Sequence, residues 1–185
     1  MKTSKITILA ALAALAFAGG AQAGDSNGVF IEQVGNNSTV GVAQTGSGNR
    51  LGQGINNPYA QYGDSQSLSV TQTGSGNAVQ RGEQNGKVNK STVRQTGSYN
   101  SIEMLRQEGS VNTLNVTQTG YGNAMGAGQK GSSNTLNYTA TGDKNYAEVG
   151  QNGTSNVMSI STTGNGNSVG AASVGSNNRI TVTQR

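Results

Sequence analysis

The sequence predicts an all-β protein: a β-solenoid, or cross-β stack, of about seven strand–turn–strand repeats of 22 or 23 residues. Three observations predict it. A six-residue tract returns at a fixed period, the sequence signature of a stacked repeat architecture. Between tracts the side chains alternate strictly between two kinds, which is the period of a strand. The composition is dominated by Gly, Asn, Gln, Ser and Thr, with only 11% charged and 4% aromatic residues. Ordinary globular domains carry about 25% charged residues.

The first element is a leader. Lys2 and Lys5 give a basic start, Ile6 to Ala18 is almost wholly apolar, and Ala21-Gln22-Ala23 fits a small-residue cleavage site. That is the layout of a secretory signal peptide. The apolar run is too short for a comfortable transmembrane helix, so a retained anchor is the poorer reading. Residues 1–23 are expected to be removed, leaving a repeat domain over 24–185 that is secreted and carries no integral membrane segment. Without Lys2 and Lys5 the net charge falls from +4 to +2. There is no Lys/Arg cluster and few aromatics for stacking, so no nucleic-acid partner is expected. The absence of Cys rules out a disulfide framework, although the route is secretory.

The repeat follows in two alternating series. The first is Gln44-Thr45-Gly46-Ser47-Gly48-Asn49, which returns from Gln72 to Asn77, from Gln95 to Asn100 and from Gln118 to Asn123. It decays to Ala140…Asn145 and Thr162…Asn167. The second runs Gln84…Asn89, Gln107…Asn112, Gln129…Asn134 and Gln151…Asn156. Gln33-Val34-Gly35 and Gln61-Tyr62-Gly63 open it, and Ser173-Val174-Gly175 closes it. One irregularity lies between Asn49 and Gln61, near residues 50–60, where roughly half a unit is inserted. The only proline, Pro58, falls there, as expected for a loop or a disturbed edge.

Each half unit reads as one turn and one strand. The Gly after Gln, with Ser, Asn or a second Gly, is turn chemistry. The segment from Asn to the next Gln alternates: Asn112, Leu114, Val116 and Gln118 share one parity, as do Asn123, Met125, Ala127 and Gln129, and Asn178, Ile180, Val182 and Gln184. Successive strand side chains point to opposite faces. Each strand therefore turns Asn, two mostly apolar residues and Gln inward. Thr, Ser, Asn, Glu, Arg and Lys face out. The strands Asn77 to Gln84 and Asn100 to Gln107 hold one extra residue, which predicts a bulge in each.

One strand–turn–strand unit cannot bury its apolar face alone. Stacked in register, Gln lies over Gln and Asn over Asn, with layers about 4.8 Å apart. An unpartnered buried amide costs about 1–3 kcal/mol. In a stack each amide can donate to one neighbour and accept from the other, as in cross-β Asn/Gln ladders. Only two apolar positions per strand feed the core, so the isolated monomer is expected to be marginal. The last strand still follows the repeat, and no helical cap pattern precedes the first. Open strand edges are templates for further pairing, which predicts linear polymerisation.

The tract Gln-x-Gly-x-Gly-Asn, followed by alternating residues to the next Gln, resembles the curlin repeat across essentially the whole chain after the leader. The resemblance implies a subunit of curli, the cell-surface functional amyloid fibre (fimbrium) of bacterial biofilm matrix and adhesion. It implies as partners other copies of the chain, a curli-type nucleator or major subunit, an outer-membrane secretion pore and accessory factors. The family's ladder positions carry over to Gln44, Gln72, Gln84, Gln95, Gln107, Gln118, Gln129 and Gln151, and to Asn49, Asn77, Asn89, Asn100, Asn112, Asn123, Asn134, Asn145 and Asn156. Gln33, Asn167, Asn178 and Gln184 hold the same repeat positions. Ala140, Thr162 and Ser173 replace Gln, which should weaken the ladder towards the C-terminus. The regular repeats favour a major subunit, whereas the ending Val182-Thr183-Gln184-Arg185 resembles the minor, nucleating one. Only Gly24 to Gly28 could serve as the Gly/Asn-rich export tail of major curlins.

Catalysis has little to stand on without His or Cys, since the usual nucleophile–base pairs are missing. Neither a cofactor site nor a metal site is expected. Gly46-Ser47-Gly48 lacks the third Gly and helix of a dinucleotide site. Asp25, Asp64 and Asp143 do not fall in the Gly-Gly-x-Gly-x-Asp calcium repeat. Two rivals are weighed. A capped, soluble solenoid could bind through its outward threonines, but Glu32 and Arg94 interrupt the array. A disordered Asn/Gln-rich linker conflicts with the strict alternation.

Overall fold

In the computed structural model the described residues are 5–11 and 26–185. The proposed cleavage site and the second half of the leader's apolar run lie outside them. Residues 26–185 form a β-solenoid of seven coils, each with one strand in each of two facing parallel sheets.

Lys5–Ala11 forms β1, and coil 1 is β2 (Gly28–Val34) and β3 (Thr39–Thr45). Coil 2 is β4 (Arg50–Leu51) with β5 (Tyr59–Asp64), then β6 (Ser67–Ser75). Coil 3 is β7 (Ala78–Lys87) and β8 (Lys90–Ser98), and coil 4 is β9 (Ser101–Ser110) and β10 (Thr113–Tyr121). Coil 5 is β11 (Ala124–Ser132) and β12 (Thr135–Thr141). Coil 6 is β13 (Tyr146–Thr154) and β14 (Val157–Thr163), and coil 7 is β15 (Ser168–Ser176) and β16 (Arg179–Gln184). The first strands of the coils make one sheet and the second strands the other. Pairing is in register by sequence repeat, so Gln72 lies over Gln95 and Gln95 over Gln118.

Alternation does the folding. In β10 the residues Leu114, Val116 and Gln118 are buried while Thr113, Asn115 and Thr117 are half-buried. The core is two short rows per coil, such as Val40 and Val42 facing Val29 and Ile31, continuous from coil 1 to Val169 in coil 7. In coil 7 Ile180 and Val182 only half-bury against it.

Three irregularities interrupt this order. The expected half-unit insertion is smaller than half a unit. Val29 pairs with Leu51 and Ile31 with Tyr59, so residues 52–58 loop out in place of the single Phe30. An insertion that preserves register on both sides must leave the sheet plane, and Pro58 sits in that loop. The two expected bulges are present in β7 and β9. Gln80 and Glu103 drop out of the pairing register, and the register of β9 against β11 shifts by one. Glu103 and Met104 consequently both face out.

The leader was expected to lie outside the fold. In this uncleaved chain Lys5–Ala11 instead pairs in parallel with β2, Lys5 opposite Gly28 and Ala11 opposite Val34. A parallel sheet edge with unpaired backbone groups accepts an extended segment, and β2 is such an edge.

Candidate functional site: amide ladders and the coil ends

The inward polar residues are the least ordinary part of the molecule. Twenty-one ladder positions were expected from the sequence, and the structure brings most of them into four columns. In the first sheet, Gln61 donates to Gln84 at 2.6 Å, Gln84 to Gln107 at 2.8 Å, and Gln107 to Gln129 and Gln129 to Gln151 at 2.9 Å. In the second, Gln44 donates to Gln72 at 2.7 Å, Gln72 to Gln95 at 2.8 Å and Gln95 to Gln118 at 2.9 Å. From Gln44 to Gln129, except Gln61, the Nε2 groups also reach across the core. Gln107 donates to the Lys90 carbonyl and Gln95 to the Ala78 carbonyl, which ties one sheet to the first backbone group of the other. All these amides are buried, and a satisfied buried network specifies a unique packing.

The asparagines hold the turns. Asn77 N–H donates to the Asn49 Oδ1 below it, Asn100 N–H to Asn77 and Asn123 N–H to Asn100, at 3.1 to 3.2 Å. Asn145 and Asn167 extend this column. Asn89, Asn112, Asn134, Asn156 and Asn178 make the second. From Asn49 to Asn156 each Nδ2 donates upward to the carbonyl of the next coil's turn glycine, as Asn77 does to Gly97 at 2.9 Å and Asn112 to Gly131 at 3.0 Å. That contact requires glycine. At Gly74, with φ +111°, a Cβ would lie 2.0 Å from the Gly97 carbonyl oxygen.

Sequence reasoning missed four residues. Ser38 and Gln66 occupy the asparagine position in coils 1 and 2: Ser38 Oγ donates to the Gly63 carbonyl, and Gln66 to those of Gly86 and Tyr62. The spacing signals them, because each lies three residues after its turn glycine. Ser91 replaces an apolar residue, and its hydroxyl donates to Gln107 at 2.8 Å. Tyr59 fills the break left by the loop, where its ring would collide with any Cβ on Gly82. Burial pushes the Tyr59 phenol above its ordinary value, with the Ser91 hydroxyl a smaller opposing influence. Burial likewise raises Tyr138, which lies beside the missing amides of Ala140 and Thr162.

The ladders fail at the ends. Gln33 pairs with Gln61 in register, but its buried amide has no hydrogen-bond partner among the described residues. Ala140 and Thr162 separate Gln118 from Gln184. Ser173 sits over Gln151 with its hydroxyl unpartnered. Asn167, Asn178 and Gln184 are half-buried on coil 7's outer side. The two last turn glycines face no coil: Gly164 meets Asn167 at 3.6 Å and Gly175 meets Asn178 at 3.4 Å.

The outward face carries an ion-pair run. Arg106 lies 3.7 Å from Glu83 and 3.6 Å from Glu108, which lies 3.5 Å from Lys130. Exposed pairs of this kind contribute about 0.2–1 kcal/mol. Tyr99 and Tyr121 meet edge to face on adjacent turns, 5.6 Å apart. Among the described residues no three His, Cys, Asp or Glu side chains cluster as metal ligands, and no helix is long and apolar enough to cross a membrane. Comparison with protein-family models, with curated proteins and with solved structures finds no match.

Proposed function

We propose that this chain is a structural subunit of an extracellular, curli-like amyloid fibre, growing by head-to-tail stacking of solenoids and serving cell adhesion and biofilm matrix rather than catalysis. The observation that carries the reading is the match between the two ends of the stack. Coil 7 offers Ser173, Asn178 and Gln184 at the register positions that coil 1 fills with Gln33, Ser38 and Gln44. The ladder bonds run in one direction, each Nε2 donating to the following coil. Gln184 of one copy would thus donate to Gln44 of the next, and Ser173 would find the orphaned Gln33 amide. Asn178 would take the Gly35 carbonyl, and that carbonyl would lie over Gly175.

Cleavage of the leader bares the β2 edge for this contact. A nucleating subunit, an outer-membrane pore and accessory factors complete the proposed set of partners, and the regular repeat favours a major subunit over a nucleating one.

The test is assembly of the chain from Gly24 to Arg185 in dilute buffer. Thioflavin-T fluorescence should rise after a lag that preformed fibres abolish. Fibre diffraction should give reflections near 4.8 and 10 Å, the strand and sheet spacings. A chain that stays monomeric and melts cooperatively overturns the reading in favour of a capped binding module.

A further inference from the structure

The three departures from the repeat converge on one place. The loop of residues 52–58 stands over the outward face of the first sheet. The bulge in β7 turns Arg81 out, and the bulge in β9 turns Met104 out. All three border one cleft of about 480 Å³. Small-molecule sites occupy about 300–1,000 Å³. Bulges that re-aim side chains are over-represented beside functional sites, and in-register pairing of Arg81 with Met104 sets both bulges at one height beside the loop between Leu51 and Tyr59.

The chemistry of the cleft is balanced. Glu32 and Glu83 enter it from coils 1 and 3, and Arg81 and Arg106 from coils 3 and 4. Arg106 is paired with Glu83, while Arg81 has no ion-pair partner among the described residues. The Tyr62 hydroxyl donates to Glu32 at 3.1 Å, which fixes the ring at the cleft wall. Asn56 and Asn57 add amides from the loop.

A net anion would meet Glu32 and Glu83, and a net cation would meet Arg81 and Arg106. A purely apolar ligand would leave Arg81 without a partner, since only Arg106 and Glu83 pair with each other. A sugar hydroxyl both donates and accepts, so it can serve carboxylate and guanidinium alike. The carbon-bound hydrogens of a pyranose ring can pack on Tyr62 and Met104, since an aromatic side chain offers an apolar body with a polar tip.

We propose that this cleft binds a short neutral saccharide, with Tyr62 as the stacking platform and Arg81 and Glu32 as its hydrogen-bonding arms. This goes beyond the structural role above and does not depend on it. If chains stack as proposed, the site recurs once per seven coils, about 33 Å along the fibre at the parallel-strand spacing.

The experiment is saturation-transfer NMR on the full chain from Gly24, with cellotetraose and maltotetraose as neutral β- and α-linked probes and the zwitterion glycyl-leucine as the contrast. The readout works on monomer or suspended fibre, so failed assembly does not mask the result. At least one tetrasaccharide should bind saturably, and Tyr62→Ala and Arg81→Ala should each weaken it about tenfold, the loss of one good contact. Both side chains face outward, so the β-sheet circular dichroism should be unchanged. The inference falls if neither tetrasaccharide binds at about 10 mM, roughly ten times a 1 mM dissociation constant. It falls equally if glycyl-leucine binds more tightly than both, or if both variants bind like the parent.

Discussion

Coils 3 and 4 and coils 6 and 7 follow one backbone path but hold it by different means. In the central pair every ladder position is filled by its own amide: Gln84 bonds Gln107 at 2.8 Å, and Gln95 bonds Gln118 at 2.9 Å. Between coils 6 and 7 the corresponding residues are Gln151 over Ser173 and Thr162 over Gln184, and no glutamine amide bonds across. The turns show the reverse. Val88 and Val111 stand at φ 56° and 58° in the central turns, whereas Ser155 and Asn177 hold that position later. A β-branched residue at positive φ is a genuine outlier, and Asn is among the residues that tolerate it. Side-chain ladders, not turn propensity, therefore decide where this solenoid is tight. The last coil has good local geometry and an interior left open.

The comparison breaks most decisively at the turn glycines. At Gly97, with φ +107°, a Cβ would lie 2.1 Å from the Gly120 carbonyl oxygen, so Gly97→Ala should separate two coils and cost more than about 3 kcal/mol. At Gly175, with φ +108°, the nearest atom is the Asn178 amide at 3.4 Å. Gly175→Ala should therefore carry only the backbone strain, about 1–3 kcal/mol. Thermal melts of the unassembled chain should rank the two in that order. Growth on preformed seeds should stop for Gly175→Ala as well, because its methyl group would meet the next copy. Seeded growth at the parent rate would show that this face is not the junction.

The glutamines give a middle-sized contrast. Gln107 accepts from Gln84 and donates to Gln129. Gln118 accepts from Gln95 but has Ala140 above it. Replacing Gln107 by Leu leaves the Gln129 Oε1 and the Ser91 hydroxyl without their partner, whereas replacing Gln118 by Leu leaves the Gln95 amide its Ala78 and Asn100 carbonyls. At about 1–3 kcal/mol for each unsatisfied group, Gln107→Leu should be the more destabilising by about one to two such increments. Equal losses in chemical denaturation would mean that the cross-core bonds to Lys90 and Ser101, which both glutamines make in kind, dominate over the column.

Most of this was legible in the sequence, because the physics repeats. A two-residue alternation of Asn, apolar, apolar, Gln can bury its apolar pair only by stacking, and the interval between tracts sets the register. The bulges were readable as one extra residue in the strands ending at Gln84 and Gln107. What escaped was substitution by shape. Ser38 and Gln66 do an asparagine's work with other atoms, and only their distance from Gly35 and Gly63 marks them. The size of the insertion escaped too, since the sequence shows that residues are added but not that Leu51 and Tyr59 rejoin the same strand line. The cleft was beyond reach. Arg81 and Met104 turn outward through local bulge geometry, and their meeting with residues 52–58 depends on coils that are separate in sequence.

The smallest effect sharpens the comparison from the other side. Val111 is about half exposed and sits at φ 58° directly before Asn112. Left-handed backbone costs a residue with a Cβ about 1–2 kcal/mol, and Asn recovers part of that through local hydrogen bonding. Val111→Asn should thus stabilise the monomer by about 1 kcal/mol and leave the ladder bonds of Asn112 in place. Asn177 already fills the equivalent place in the last coil, so Asn177→Val should destabilise by a similar amount. A loss of stability in Val111→Asn would show that Val88 and Val111, one above the other on adjacent turns, bury enough apolar surface to outweigh their backbone strain. The central turns would then be held by side-chain stacking like the interior, and the contrast between the two regions would reduce to the ladders alone.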